Sequence, residues 1–312
     1  MKILVTGGAG YIGSVLTPHL LNKNFKVTVV DTFTHSETSL NSFYKNKNLE
    51  IVKGDVRDTR IINSLIKKND IIIPLAALVG APACDFDPVS AESINKTSIL
   101  KLLDLKSKDQ IIIMPTTNSA YGSGDKENFC DENTKLKPIS KYAIDKVEIE
   151  KELMTKSNVV SLRLATVFGM SPRMRIDLLV NDFVYRATKD KFIILFESHF
   201  KRNYIHLSDL SNSFTHVLEN FDLMKNNIYN VGLSNANLSK KELCEKIKKY
   251  IPELEILEKE SVKDPDQRNY LVSNKKIEST GFKTETNIED GIQELIKGYK
   301  SLKKYSYGNI WL

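Results

Sequence analysis

Short apolar runs alternate with segments of helical periodicity through the first half of the chain. Strands are predicted at residues 3–6, 26–30, 49–52, 71–75, 111–115 and 159–164, and the segment 12–21 has the apolar spacing of an amphipathic helix. Strands that are apolar throughout are typical of a parallel sheet buried on both faces, and the alternation supplies the helices that cover it. We therefore predict an α/β fold with a doubly wound parallel sheet.

A glycine pattern, GGAGYIG, joins the first predicted strand to the first helix. In such a turn one glycine allows the sharp bend, a second lets a pyrophosphate approach the backbone, and a third packs helix on strand; we give these roles to Gly7, Gly10 and Gly13. Asp31 ends the second strand, where a carboxylate binds an adenosine ribose and repels the 2′-phosphate of NADP. The pattern predicts a site for NAD, the alternative being a purely structural turn.

The segment PTTNSAYG, residues 115–122, places hydroxyl and amide side chains directly after a predicted strand. Ligands of open α/β sheets bind outside the carboxyl ends of strands, although the same residues are common in turns. In SKYAIDK, Tyr142 and Lys146 are four residues apart and share a helix face, as they would on many exposed helices. A nearby ammonium favours the phenolate and lowers the phenol pKa, so the pair is a candidate catalytic base.

Further residues at strand ends complete the predicted cofactor site. Asp55 and Val56, in GDV, are placed to meet adenine, and PLAALVG passes close to the cofactor. The residues predicted to bind NAD are Gly7, Gly10, Tyr11, Ile12, Gly13, Asp31, Asp55, Val56, Leu75, Ala76, Ala77, Tyr142 and Lys146.

Composition narrows the class of protein. The 312 residues carry a net charge of +6, but the 45 Lys and Arg are scattered, which predicts a solvated basic surface and no nucleic-acid partner. Three cysteines without CxxC spacing argue against a disulfide framework or a structural zinc, so no metal is expected. We see no secretory leader and no apolar stretch near the ~20 residues of a membrane span, which predicts a cytoplasmic protein with no membrane partner.

The motifs GGAGYIG, GDV, TNSAYG, YAIDK, RLATVFG and RNYIHLSDL together resemble the NAD-dependent sugar epimerase and dehydratase family of extended short-chain dehydrogenases/reductases. The resemblance implies a Rossmann fold in which Thr117 hydrogen-bonds a sugar hydroxyl, Tyr142 deprotonates it and Lys146 holds the nicotinamide ribose. Family members that eliminate water carry Asp and Glu where this chain has Asn118 and Ser119, so dehydration is not expected. A homodimer through helices near 90–105 and 139–155 is also implied.

No long Pro-, Gly- or Ser-rich linker separates the second half from the first, so the second half is expected to be a cap folded back on the first. The resemblance implies that this cap binds a nucleotide sugar. We predict a cofactor domain at 1–170 and a cap at 171–312, with helices near 178–187, 240–250 and 288–304 and some elements returning to the first domain. The resemblance places these residues on the substrate, with a surface ion pair as the alternative for each arginine: Thr117, Asn118, Ser119, Thr166, Asp177, Leu178, Arg202 and Arg268.

Other residues of the motifs are given structural roles. His206 is predicted to be a packed histidine, Asp209 to stabilise a helix N-terminus and Cys84 to be a packing residue on a loop that borders the sugar. Asp145 stands where a Ser or Thr is usual, and it either modulates the phenol or faces solvent.

Four segments, ALVGAPACDFDP, TNSAYGSGDKE, RLATVFGMSPRMRIDLLVNDFVYRA and DPDQRNYLVSNKK, are similar to a subgroup of bacterial GDP-heptose 4-dehydrogenases of capsule polysaccharide assembly. This implies oxidation of C4 of GDP-D-glycero-α-D-manno-heptose. Two alternatives stay open: a nucleotide-sugar 4-epimerase, which oxidises with the same residues and returns the hydride, and a non-catalytic NAD- or RNA-binding relative.

Overall fold

A computed structural model of the chain describes residues 1–123, 129–259 and 268–302. The strands, in chain order, are β1 Lys2–Thr6, β2 Lys26–Asp31, β3 Leu49–Lys53, β4 Ile71–Pro74, β5 Ile111–Thr117, β6 Phe129–Cys130, β7 Val159–Leu164, β8 Thr166–Phe168, β9 Phe192–Leu195, β10 Lys201–His206, β11 Asn227–Val231, β12 Asn237–Ser239, β13 Glu255–Glu258 and β14 Leu271–Val272.

The α-helices are α1 Gly13–Asn22, α2 Thr59–Ile66, α3 Ala81–Phe86, α4 Pro88–Glu92, α5 Ser98–Leu105, α6 Lys141–Leu153, α7 Leu179–Lys189, α8 Leu207–Glu219, α9 Phe221–Met224, α10 Lys240–Lys248, α11 Lys275–Glu278 and α12 Ile288–Tyr299. A π-helical turn, Ser93–Thr97, joins α4 to α5, and 3₁₀ turns lie at Asn41–Phe43 and Asn118–Tyr121.

Seven parallel strands form the central sheet in the order β11-β7-β5-β4-β1-β2-β3. Buried residues of α1 and α8 pack in one hydrophobic cluster with the sheet, and those of α2, α5 and α6 pack in another. Helices therefore cover both faces, as the apolar strands predicted. The strand order reverses between β1 and β4, and such a reversal opens a crevice at the carboxyl ends of the strands where ligands bind.

Strand β5 is longer than predicted and carries the polar segment into the sheet. The apolar run ends at Pro115, but the ladder with β7 continues through Pro115, Thr116 and Thr117. Pairing with β4 involves only Ile111 and Ile112, so the missing N–H of Pro115 breaks no ladder on that side. Thr117 is thus the last residue of a central strand.

The second half of the chain adds smaller sheets and returns to the large one. Strands β12-β10-β8, β13-β9 and β14-β6 form separate sheets, whereas β11 extends the central sheet beside β7. The predicted division at residues 170 and 171 stays a prediction. Helix α12 ends at Tyr299, and residues 303–304 of the predicted helix lie outside the described residues. In the described part of the chain, every helix is too short or too polar to cross a membrane.

Candidate active site

The glycine-rich turn has the close backbone approaches that the sequence predicts. Gly7 has φ +70°, and a Cβ there would lie 2.6 Å from the backbone nitrogen of Ala76 at the end of β4. A Cβ on Gly13, the first residue of α1, would lie 2.4 Å from the carbonyl oxygen of Gly7. Only glycine fits these two positions, so the turn brings β1, β4 and the N-terminus of α1 together around a cradle suited to a pyrophosphate.

Asp31 is held in place at the end of β2. Its carboxylate accepts the N–H groups of Ala9, at 2.9 Å, and Phe33, at 2.8 Å. These two bonds orient the carboxylate over the glycine-rich turn, where the ribose of a dinucleotide is expected. Asp55 is instead engaged by its neighbour Arg57, whose Nη2 lies 2.6 Å from Oδ2, and this pairing lowers the pKa of Asp55.

Beyond β4 the chain runs extended past the same turn. The N–H of Leu75 donates to the Thr6 carbonyl at 3.0 Å, and that of Ala76 lies 3.2 Å from Thr6 Oγ1. Val56 packs against the hydrophobic cluster that contains the buried residues of α2, α5 and α6, and Ala77 is half-buried. The strand ends that were predicted to surround the cofactor thus lie on both sides of the reversal in strand order.

The side chain of Tyr11 connects the turn to the second half of the chain. Its hydroxyl donates to the Gly169 carbonyl at 2.9 Å and accepts from Asn181 Nδ2 at 3.0 Å, while Ser171 Oγ donates to the Tyr11 carbonyl at 2.8 Å. A predicted cofactor role for Tyr11 therefore falls to its backbone. Gly10 and Ile12 border the same turn, and the Gly10 N–H donates to the Gly7 carbonyl at 3.1 Å.

Thr117, Asn118 and Ser119 form a buried polar group where β5 ends. Thr117 Oγ1 accepts the N–H of Ser119 at 3.1 Å and donates to Ser119 Oγ at 3.0 Å. The Asn118 side chain is fully buried, and neither its amide nitrogen nor its amide oxygen has a hydrogen-bond partner. Because a buried amide is costly to leave unpaired, these atoms are candidates to bind a ligand group.

Tyr142 and Lys146 lie in the first two turns of α6, which packs against β5 and the Asn118–Tyr121 turn. Lys146 Nζ lies 5.8 Å from the centroid of the Tyr142 ring and donates to the Pro115 carbonyl at 3.2 Å. Burial lowers the pKa of Lys146 to about 8, and the nearby carboxylate of Asp145 opposes that change. The structure thus brings the predicted base and its ammonium beside the strand that carries Thr117.

The pKa of Tyr142 differs from the sequence-based expectation. Burial raises the pKa of Tyr142 to about 12. The positive charges of Arg175 and Arg268 act in the opposite direction and lower it. The spacing of Tyr142 and Lys146 indicated the lysine as the cation, but the ammonium is itself desolvated and bonded to the backbone. The two arginines reach the phenol only through the tertiary fold.

Arg268 lies at the end of β5. Its Nη1 donates to Ser119 Oγ, and Arg202 Nη1 donates to the carbonyl of Arg268. Arg202 is almost completely buried and Arg268 is half-buried, and their roles toward a sugar diphosphate stay predictions. Because a guanidinium has only donors, Ser119 accepts from both Arg268 and Thr117 and keeps its own proton for another acceptor.

Arg175 is a site residue that the sequence interpretation missed. It is buried, its positive charge lowers the pKa of Tyr142, and it pairs with Asp177, whose Oδ1 lies 3.2 Å from Arg175 Nε. The available sequence signal was the pair Arg173 and Arg175, which are two residues apart and lie just before the predicted substrate residue Asp177. Leu178 precedes α7 and Thr166 begins β8; both are half-buried, and their contacts to a sugar diphosphate stay predictions.

The histidine and the buried acids have structural partners. His206 is packed as predicted, with Nε2 2.5 Å from Glu294 Oε2 and Nδ1 2.7 Å from Ser208 Oγ. Asp209 lies in the first turn of α8, but its carboxylate accepts the N–H groups of Glu285 and Thr286 at 2.9 and 3.0 Å. It therefore joins α8 to the segment before α12 instead of capping its own helix.

Cys84 and Asp145 lie close to the candidate base. Cys84 belongs to the short helix α3, where the sequence predicted a loop, and its buried thiol donates to the Leu78 carbonyl at 3.3 Å. Burial raises the pKa of this thiol, which agrees with packing and not with a nucleophile. Asp145 is buried and pairs with Lys141 at 2.5 Å, so it does not face solvent.

The fold and these residues define a dinucleotide-dependent enzyme with a Rossmann-type sheet. Residues 3–232 match the model of the family described as the NAD dependent epimerase/dehydratase family. The chain belongs to this family, and NAD is its cofactor; the glycine cradle and the oriented carboxylate of Asp31 fit that molecule.

Two curated relatives cover most of the chain. The low-salt glycan biosynthesis protein Agl12 of Haloferax volcanii is 26% identical over 96% of this chain and 98% of its own length. Bacillus subtilis YtcB, by name an uncharacterized UDP-glucose epimerase, is 30% identical over 70% of this chain and 72% of its own.

Among solved structures, UDP-glucuronic acid 4-epimerase from Bacillus cereus, in complex with UDP-glucuronic acid and NAD, has a TM-score of 0.86. It is 24% identical and covers 97% of this chain and 100% of that one, a likeness that shows the fold alone.

Proposed function

We propose that the protein oxidises the C4 hydroxyl of a nucleotide-linked sugar with NAD. The observation that carries the proposal is the convergence of α6, bearing Tyr142 and Lys146, on the end of β5, bearing Thr117 and Ser119, in a fold whose glycine turn fits the cofactor. A base, hydroxyl groups and a hydride acceptor are what oxidation of a secondary alcohol requires.

Oxidation removes a hydride from C4 and a proton from its hydroxyl oxygen. When bound, NAD accepts the hydride. Tyr142 accepts the proton, and Arg175 and Arg268 stabilise the phenolate that must form first. Lys146, with Nζ 5.8 Å from the Tyr142 ring centroid, is proposed to hold the nicotinamide ribose. Thr117 binds the sugar oxygen, and the unshared proton of Ser119 is available to the carbonyl oxygen that replaces the hydroxyl.

The two positions after Thr117 carry no carboxylic acid that could assist elimination of water. Dehydration needs an acid to protonate the leaving hydroxyl, and the two positions after Thr117 hold an amide and a hydroxyl. The reaction proposed here therefore stops at the 4-keto sugar or returns the hydride to it.

We propose GDP-D-glycero-α-D-manno-heptose as the substrate and capsule polysaccharide synthesis as the context, on the four segments that resemble GDP-heptose 4-dehydrogenases. Arg202 and Arg268 are proposed to bind the diphosphate, where guanidinium groups suit the oxygen geometry. Nucleotide-sugar 4-epimerisation fits equally well, because it uses the same residues and several relatives are named as epimerases.

A substrate labelled with deuterium at C4 separates these reactions. The purified protein is incubated with GDP-heptose and with GDP- and UDP-hexoses, and products are analysed by mass spectrometry and NMR. The dehydrogenase gives a 4-keto sugar that has lost the label; the epimerase gives an inverted sugar that keeps it. If every labelled sugar is recovered unchanged from protein that carries bound NAD, both proposed reactions are refuted.

We also propose a homodimer through the helices near 90–105 and 139–155, observed as α4, α5 and α6. Phe86 and Val89, beside this surface, are 92% and 78% exposed in the chain. Light scattering should give twice the chain mass, and the double variant F86S/V89S should give a monomer. Leu223→Ser, at an exposed apolar residue on α9, is the control.

A further inference from the structure

Helix α6 carries a third polar residue in line with Tyr142 and Lys146. Glu150 follows Lys146 by four residues and Tyr142 by eight, so the three side chains lie on one face of the helix. Glu150 is only 5% exposed, and the proposed chemistry gives it no task.

The Glu150 carboxylate connects α6 to two neighbouring strands of the central sheet. Its Oε2 accepts from Ser161 Oγ on β7 at 2.7 Å and from Thr116 Oγ1 on β5 at 3.1 Å. Its Oε1 accepts from Arg163 Nη2 at 2.6 Å, and Arg163 Nε lies 3.1 Å from both oxygens. One carboxylate thereby links the helix that carries the base to the strand that ends in Thr117.

Arg163 extends this contact to the other end of the polar segment. It is 3% exposed, and its Nη1 donates to the Tyr121 hydroxyl at 2.9 Å. Tyr121 ends the 3₁₀ turn that contains Asn118 and Ser119. The ion pair thus holds Thr116, just before Thr117, and Tyr121, two residues after Ser119.

Stability alone is a weak reason for such a pair. A buried ion pair loses hydration on folding, and well-packed apolar side chains of similar volume often stabilise a protein as much. Its directional bonds do what apolar contacts cannot, since they determine both the distance and the angle between a helix and a strand.

We infer that Glu150 and Arg163 are positioning residues, which align Tyr142 and Lys146 on α6 with Thr117 on β5. The inference rests on the proposed function of those three residues. Misplacement of a reacting group by about 1 Å can lower a rate by about 100-fold, so loss of this alignment should lower kcat more than it raises KM.

The deciding variant is E150L/R163M, which replaces the pair by apolar side chains. We expect a folded protein that retains NAD, with kcat at least about tenfold lower and KM within about threefold of the parent. The ascending limb of the pH profile, which reports ionisation of the phenol, should move to higher pH, because a phenol held less closely to Arg268, which is bonded to Ser119 at the end of β5, ionises less readily. A parental kcat and pH profile in this folded variant would overturn the inference.

Two single variants decide the matter if the double variant does not fold. R163K keeps the charge but loses the two-pronged contact with Glu150, and T116V removes the bonds of Thr116 Oγ1 to Glu150 and to Ser161 Oγ. Both variants should have a lower kcat and an ascending limb of the pH profile at higher pH. Parental values in both variants would equally overturn the inference.

Asp209→Asn is the control, because this residue is also a buried carboxylate but joins α8 to the segment before α12. It should lower the midpoint of thermal unfolding without changing the pH profile. Tyr142→Phe separates the two proposals: if it leaves activity unchanged, the proposed function fails, whereas inactive Y142F beside fully active E150L/R163M refutes only the positioning role.

Discussion

Arg268 donates a hydrogen bond to Ser119, a residue 149 positions earlier in the chain. The contact brings a guanidinium from the second half to the carboxyl end of a central strand. Its positive charge also acts on the phenol of Tyr142. The site is therefore completed by the second half of the chain.

Loss of that guanidinium should alter the pH dependence of the reaction. Arg268 lowers the pKa of Tyr142, so Arg268→Met should raise that pKa. The ascending limb of kcat/KM, which reports ionisation of the base, should then move to higher pH by about half to one pH unit. The profile is measured between pH 6 and 10, and Arg60→Met, at an exposed arginine of α2, should leave it unchanged. An unshifted profile in R268M would show that the charge does not act on the base.

Removal of the phenolic oxygen tests the base itself. Tyr142→Phe should lower kcat by at least about 100-fold, in the range that general base catalysis contributes. Its fold and NAD content should stay as in the parent, measured by circular dichroism and by absorbance of the released cofactor. Tyr44→Phe is the matched control on an exposed tyrosine, and equal activity of the two variants would remove Tyr142 from the mechanism.

The buried ammonium group of Lys146 should lower the free energy of unfolding at neutral pH. Its pKa is about 8 in the folded chain against 10.5 in the unfolded one, so the unfolded state binds more protons between these values and stability rises with pH across that window. Lys146→Met should therefore raise the free energy of unfolding at pH 7 by up to about 3 kcal/mol while abolishing activity.

Urea denaturation at several pH values measures this effect. The advantage of K146M should be full below pH 8 and shrink towards pH 10.5, whereas Lys68→Met, at an exposed lysine, should show no such trend. A difference that is constant with pH would contradict the assignment.

Two glycines with positive φ allow the effect of backbone strain to be separated from the effect of close backbone contact. Gly7→Ala and Gly281→Ala should both lose about 1 kcal/mol of stability through strain, since φ is +70° and +94°. Only at Gly7 would the new Cβ meet the backbone of Ala76; around Gly281 there is open space. NAD retained through gel filtration should fall in G7A and not in G281A; equal retention would argue against the cradle.

Asp31 should decide between the two dinucleotides. Asp31→Asn removes the charge that repels a 2′-phosphate, so the ratio of the dissociation constants for NADP and NAD should fall at least about tenfold. Calorimetric titration with both cofactors measures this, with Asp109→Asn as the exposed control. An unchanged ratio would mean that another group excludes NADP.

Patterns that depend on neighbouring residues predicted much of the molecule. Apolar runs identified β1, β2, β3, β4, β5 and β7, and the glycine spacing identified the turn before α1, because both follow from backbone geometry within a few residues. The four-residue spacing of Tyr142 and Lys146 gave their shared face on α6 for the same reason. The end of β5 was placed too early, since its last residues are polar and are held by pairing with β7.

The sequence by itself thus determined the parallel sheet, the cofactor turn and the shared helix face of Tyr142 and Lys146, all of which arise from local patterns. Only the tertiary structure decided that Arg268 meets Ser119, that the charge of Arg175 acts on Tyr142 and that Glu150 pairs with Arg163. The physical reason is that such contacts join residues on different elements. Their distances depend on how helices and strands pack, which no spacing along the chain encodes.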